Sequence, residues 1–343
     1  MNSTGNYCRL FFLLVKISYL SAATDIPHAR IGRYPYLNDT DCGKTRESPL
    51  FSDQCFKFHK TFDASAGSVI NGRFARKGDL NFLAYLKFQF KLLATKRAKY
   101  ITKFCSGVII SQQWIMTSAH CIYCDATQFN CPAYVYAYLG YESGDAIAND
   151  TGKPDARPYI VREQYGFPAY IFGYDIGRYD IGLLRLRKSI DFGDRQLVNS
   201  VCMPERDIYE TGDELAMTSG WGPISPNGTN PDTGHIMGFM RIVFNSTLYQ
   251  QPNWTDAELW SVITTKRFSQ TGTDVCEGDS GGPLVQYVNG RAVLLGVFSG
   301  FNKFLDVLCG TTDPELNTYW ARVSYYTDWI VETIVNSTTK KPY

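Results

Sequence analysis

The sequence predicts an all-β fold, on three observations. The apolar runs are short: Leu83–Leu86, Cys105–Ile110, Tyr134–Tyr141, Ile181–Leu186, Val198–Pro204, Ala216–Trp221 and Ala292–Ser299. Glycine, proline and asparagine punctuate the stretches between them, which is the signature of barrels or sandwiches built from short strands. Aromatic residues make up 15% of the chain, a composition that suits the pleated, half-buried surface of a sheet. At 343 residues the chain can bury one large core or two small ones. Only two helices stand out. Thr255-Asp256-Ala257-Glu258 has capping-box spacing ahead of Leu259-Trp260. Thr327–Val335 puts Ile330 and Ile334 on one face, with Trp329 beside them.

Charge and targeting signals narrow the class. A net charge of +1 gives no global case for binding nucleic acid. Residues 87–103 do carry Lys87, Lys91, Lys96, Arg97, Lys99 and Lys103 without an acid, a run that reads as a solvated loop or hairpin edge, with a basic patch for an anionic partner as the alternative. Arg9 followed by Leu10–Val15 and later Ser21-Ala22-Ala23 reads as a secretory signal over residues 1–23. That run is too short to span a bilayer, so no membrane anchor is expected. Asn-x-Ser/Thr sequons at Asn38, Asn149, Asn227, Asn245, Asn253 and Asn336 suit exposed extracellular loops. Ten cysteines suit an oxidising compartment, and nine remain once Cys8 is set aside with the signal. Residues 24–68 lack periodicity and read as a pro-segment or light chain; residues 336–343 read as a tail.

The chemistry is concentrated in Cys276-Glu277-Gly278-Asp279-Ser280-Gly281-Gly282-Pro283-Leu284. A hydroxyl that attacks a carbonyl needs open access and nearby N–H groups for the developing oxyanion, and flanking glycines permit that close approach. Ser280 is the candidate nucleophile, with the N–H groups of Gly278 and Ser280 as oxyanion donors.

This stretch resembles the nucleophile loop of the trypsin/chymotrypsin family of serine proteases. Two further motifs are similar to that family's and arrive in its chain order, His, Asp, Ser. His120 lies in Thr117-Ser118-Ala119-His120-Cys121, and Asp180 opens Asp180-Ile181-Gly182-Leu183-Leu184-Arg185-Leu186. The long apolar run after Asp180 favours it over the nearby Asp175-Ile176-Gly177. A buried carboxylate there would fix the imidazole tautomer, and the imidazole would activate the serine. Gly220-Trp221-Gly222 also resembles a family segment. The resemblance runs from Val69 to Val335. It implies two six-stranded Greek-key β-barrels with a C-terminal helix, meeting near residues 190–200, with the three catalytic groups at the junction.

The resemblance also implies bridges, activation and a pocket. A Cys105–Cys121 bridge would close a 16-residue loop beside the histidine, worth about 3 kcal/mol in the chain-entropy model. Cys276 would pair with Cys309, and Cys202 would tether the pro-segment through Cys42 or Cys55. Cys124 and Cys131 follow closely enough to pair locally. A zinc site using Cys121 is disfavoured because secretion favours bridges, and no metal or organic cofactor is expected. A buried Asp279 would need a cation, which the family supplies as the α-amine released by cleavage, here at Val69. Asp274, six positions before Ser280, would occupy the pocket floor and select Arg or Lys, while Ser299, Phe301 and Thr318 would form walls that differ from the usual ones and narrow it. The expected function is a secreted serine endopeptidase acting on proteins or peptides, with protein inhibitors as further partners. Its alternatives are a binding or regulatory protein on a protease scaffold, or elastase-like cleavage after small side chains.

Overall fold

A computed structural model of the chain describes residues 30–34, 37–45, 73–75, 78–92, 99–123, 129–141, 158–171, 178–206, 215–222, 236–243, 255–267, 274–276, 278–301 and 317–339. Six antiparallel strands close the first barrel: β2 (Leu83–Leu92), β3 (Tyr100–Ser111), β4 (Trp114–Thr117), β5 (Phe129–Leu139), β6 (Tyr159–Gly166) and β7 (Gly182–Leu186). They close in the order β2-β3-β4-β7-β6-β5. Six more form the second: β8 (Leu215–Gly220), β9 (Ile236–Ile242), β10 (Val262–Arg267), β11 (Pro283–Val288), β12 (Arg291–Phe301) and β13 (Thr318–Arg322). Their order is β9-β10-β13-β12-β11-β8, and a β8–β9 pairing closes the ring. The two-residue strand β1 (Arg73–Phe74) adds to β9 from outside. The expected pair of six-stranded barrels is therefore present.

Period-two patterning explains why these segments are strands. In β2, Leu86, Phe88 and Phe90 point inward while Tyr85, Lys87 and Gln89 stand outside. The strand, 10 residues long, thus runs well beyond the expected Leu83–Leu86, and Lys87 and Lys91 belong to it rather than to a loop. Lys103 of β3 lies 5.2 Å over the Phe90 ring, so part of the basic run is packed as a hairpin. Asn289-Gly290, both with positive φ (51° and 75°), join β11 to β12 in the tight turn that this dipeptide favours.

Three apolar clusters hold the architecture. One fills the first barrel, with Leu86, Phe88, Ile109, Ile115, Val135 and Leu184. Another fills the second, with Ile263, Leu284, Leu295, Phe298 and Trp320. The largest lies between them and joins Val108, Met116 and Leu183 to Val285, Leu294 and Val297. The C-terminal helix α3 (Thr327–Thr339) inserts Ile330 and Ile334 into that cluster. Helix α2 (Asp256–Trp260) begins with the expected capping box, Thr255 and Glu258 bonding reciprocally.

The expected strand over Val198–Pro204 is not one; only two isolated bridges occur there, Ile31↔Pro204 and Cys202↔Val293. The reason is that its backbone is shared among several partners. Val201 N–H donates to Ile109 in the first barrel (2.9 Å), and Cys202 N–H donates to Ala292 in the second (3.0 Å). Residues 30–45 dock on the same segment. Gly43 N–H bonds Ser200 at 2.6 Å, and Cys42 pairs with Cys202, which selects Cys42 over Cys55. The Asn38 amide is fully engaged here: its Nδ2 donates to Gly32 and Met203 carbonyls, and its Oδ1 accepts from Met203 N–H. Its sequon is therefore part of the docking surface, not a free loop acceptor.

The Cys42–Cys202 bridge spans 160 residues. In the uncut chain, the C42S/C202S double substitution should lower stability by up to about 5 kcal/mol in the chain-entropy model, read from urea unfolding midpoints.

Candidate active site

The histidine is set by a short turn at the end of β4. Thr117 closes that strand and its hydroxyl donates to the Ser106 carbonyl at 2.8 Å. Ser118 then adopts an extended conformation, and helix α1 (Ala119–Ile122) starts, carrying His120 as its second residue. The Cys105–Cys121 disulfide pins the next residue to β3. Both sulfurs near His120 are therefore oxidised and cannot serve as thiolate ligands with it.

Asp180 is buried and faces that turn. Its Oδ1 accepts the His120 backbone N–H at 2.8 Å, and its Oδ2 lies 2.7 Å from His120 Nδ1. With the proton on Nδ1, the opposite ring nitrogen, Nε2, is left as an acceptor. Oδ2 also accepts the Ser299 hydroxyl at 2.5 Å. Ser299, expected in the pocket wall, thus supports the carboxylate through its hydroxyl. It sits at a register shift between β12 and β13 at Phe298/Gly300, and its hydroxyl reaches the first barrel.

Asp180 is also positioned by residues that the motif search did not identify. Tyr179 has φ of 60°, an unfavourable conformation for a bulky side chain. Its N–H donates to the Tyr326 hydroxyl at 2.9 Å, and its ring stacks on Phe167 at 5.6 Å. Its own hydroxyl donates to Glu258 Oε1 (3.3 Å), which also accepts from Arg178 (2.7 Å). The capping glutamate of α2 thus helps hold the aspartate turn.

The nucleophile loop packs directly on the histidine turn. Ser106 N–H donates to the Ser280 carbonyl at 2.7 Å, and that carbonyl lies 3.9 Å from Cys121 Sγ. Gly281 has φ of 81°, and a Cβ there would lie 2.1 Å from Thr117 Oγ1, so neither the conformation nor the space admits another residue. Gly278 has φ of 94°. Among the described residues, neither the Gly278 nor the Ser280 N–H has a hydrogen-bond acceptor, so both remain available for an oxyanion. No hydrogen bond joins the Ser280 hydroxyl to His120 among the described residues; such contacts often tighten only with substrate.

Asp279 is fully buried. Its two oxygens accept N–H groups from Gly222 (2.7 Å) and Cys276 (2.8 Å), and no cation meets it among the described residues. Burial pushes its carboxyl up to about 7; the two N–H groups pull the other way, and the nearby charge of Asp274 adds to the rise. A Cβ on Gly220 would come within 2.0 Å of Asp279 Oδ1, which explains the glycine at position 220. Val69, the expected source of a cation, and Cys309, the expected partner of Cys276, lie outside the described residues. Cys276 is itself disulfide-bonded. Arg30-Ile31, where a basic residue precedes an Ile-Gly pair, is held against residues 203–205: Arg30 O accepts from Glu205 N–H and Gly32 N–H donates to Met203 O.

Of the residues expected in the pocket, Phe301 and Thr318 are register partners across β12 and β13. Asp274 is buried and already paired. Its Oδ2 accepts from Arg267 Nε (3.0 Å) and Nη2 (2.9 Å), and its Oδ1 from Val275 N–H (3.0 Å). Phe301 packs against Cys276 and lies 5.4 Å from the Phe298 ring. Thr318 is buried between Phe301 and Thr265 on the neighbouring strands. The sequence offered no signal for Arg267 beyond its being a basic residue at the end of a short apolar strand.

Two antiparallel barrels with a His–Asp pair and a glycine-flanked serine at their seam define the architecture of a serine-protease-type hydrolase. The comparisons agree: the family model for trypsin matches residues 69–330, and the chain belongs to the trypsin family. It is 28% identical over 319 residues to the CLIP domain-containing serine protease B15 of Anopheles gambiae, covering 88% of this chain and 80% of that protein. It is 26% identical over 239 residues to the proclotting enzyme of Tachypleus tridentatus, covering 67% of this chain and 58% of that protein.

The raised Asp279 group makes the stability of the uncut chain depend on pH. Its folded value, about 7, lies above its ordinary value of 3.8, so folding binds a proton through that window. The group's contribution is fully present below about pH 4 and is lost as pH rises through about 7, by on the order of 4 kcal/mol. Urea unfolding at pH 4.5 and 7.5 should show this loss, and D279N should flatten it.

Proposed function

We propose that this chain is a secreted serine endopeptidase that cleaves protein or peptide substrates through an acyl-enzyme at Ser280. The observation that carries the reading is the buried Asp180 on His120 Nδ1, on the seam where the Ser280 loop packs. In this mechanism His120 Nε2 takes the Ser280 proton as the hydroxyl oxygen attacks the scissile carbonyl. The Gly278 and Ser280 N–H groups stabilise the resulting oxyanion, and His120 then protonates the leaving amine. Asp180 orients the ring and stabilises the imidazolium without taking the proton. A water, deprotonated by the same histidine, releases the acyl group.

Activation follows from Asp279. A carboxylate left in the interior with two N–H groups and no described cation is costly as a charge, and an α-ammonium generated by cleavage ahead of Val69 would pair with it. The docked segment 30–45 would remain attached afterwards through Cys42–Cys202. A second reading, a binding protein on the same scaffold, draws support from the paired Asp274 and from the unmade Ser280–His120 hydrogen bond.

A fluorophosphonate probe separates the two readings, since only an activated serine reacts. Protein cut ahead of Val69 should be labelled, and S280A should not. D180N should lower kcat by about 10⁴-fold with folding intact, because the imidazole would adopt the wrong tautomer. An unlabelled, fully cut protein, or near-normal kinetics in D180N, would remove the endopeptidase reading.

A further inference from the structure

We propose that Arg267 determines the primary specificity of this site: it holds Asp274 in a closed internal ion pair, so the pocket beside Ser280 accepts uncharged side chains and refuses arginine and lysine. The inference rests on the endopeptidase reading above and reverses the specificity that an acid six residues before the nucleophile implies.

The position of Asp274 is fixed by its neighbours. It leads through Val275 and Cys276 toward the nucleophile loop, and its charge is felt by Asp279, the residue before Ser280. Cys276 packs on Phe301, Phe301 stands opposite Thr318, and Thr318 stands opposite Thr265, two residues before Arg267. Asp274, Arg267, Phe301 and Thr318 are thus linked through β10, β13 and β12.

Both oxygens of the acid are engaged. One takes the Val275 N–H; the other takes two donors of the same guanidinium. The pair is well shielded, with side-chain exposures of 12% for Arg267 and 1% for Asp274. An incoming ammonium or guanidinium would have to displace a cation carried by the adjoining strand β10, and so present at high effective concentration, while leaving that cation buried without a partner.

The test uses the full chain cut ahead of Val69, with benzamidine, a small cation, as the probe for a free pocket carboxylate. Calorimetric titration should show no binding below millimolar concentration in the wild type, and binding tighter by about 100-fold or more in R267A. In a peptide library the wild type should favour Ala, Ser, Thr or Val before the cut over Arg and Lys by about 10-fold or more, and R267A should reverse that order. D274S should expose the Arg267 guanidinium and raise cleavage after Asp or Glu by about 10-fold or more. Micromolar benzamidine binding by the wild type overturns the proposal, and so does an R267A protein that binds no more tightly. If R267A does not fold, the wild-type titration and the D274S library decide. Fluorophosphonate labelling of each protein reports Ser280 separately. An unlabelled protein removes the endopeptidase reading, while the titration, which needs no turnover, still judges the ion pair.

Discussion

The carbonyl of Phe298 is the point on which the two barrels agree. It accepts the Ser118 hydroxyl, from the turn that carries His120, and the Gly281 N–H, from the loop that carries Ser280. Phe298 N–H in turn donates to the Gly282 carbonyl at 2.9 Å. One residue of β12 thus fixes the histidine turn and the nucleophile loop relative to each other. These bonds are buried, so no water competes to replace them; leaving such a donor or acceptor unmet costs about 1–3 kcal/mol, more than an ordinary net hydrogen bond contributes. The next residue, Ser299, is displaced by the register shift and reaches Asp180. Alignment of three distant chain segments therefore comes from backbone hydrogen bonding at a seam, before any catalytic side chain is considered.

Three buried carboxylates lie near that seam, and each is satisfied differently. Asp180 takes two donors from His120 and one from Ser299. Asp274 takes a guanidinium. Among the described residues Asp279 has only the N–H groups of Gly222 and Cys276, and burial pushes its carboxyl up to about 7. The first arrangement supports a reaction in which charge appears on the imidazole. The second is electrostatically closed. The third is left in deficit, which is the physical condition for a switch: a cation arriving there gains more than it would beside either of the others.

Legibility in the sequence followed the range of the interactions. The barrels could be read because period two is local, and the capping box at Thr255 could be read because it spans three residues. Even β2 was under-read only because the lysines on its outer face hid the alternation of Phe88 and Phe90. The segment 198–204 misled because apolar residues there serve two barrels and a docked segment at once, so no single ladder claims its backbone. At the site, His120, Asp180 and Ser280 stood in recognisable strings. Tyr179 and Tyr326 did not: their bond joins residues 147 apart, and neither carries a local pattern. Nor did the Ser299–Asp180 bond, since nothing local announces a register shift.

The same distinction governs what an acidic residue means. A motif assigns Asp274 a role from its distance to the serine, and that assignment assumes that the carboxylate is free to meet a substrate. Whether it is free depends on what lies across from it in space. Arg267 is only seven residues away, yet no sequence motif marks this last residue of β10 as its partner. It turns inward because a buried carboxylate without a cation would cost several kcal/mol, and a guanidinium fork satisfies it through two donors at once. The ion pair thus resolves a stability problem within the fold, and in doing so it alters what the pocket can recognise. Specificity here is a property of the pair, not of either residue.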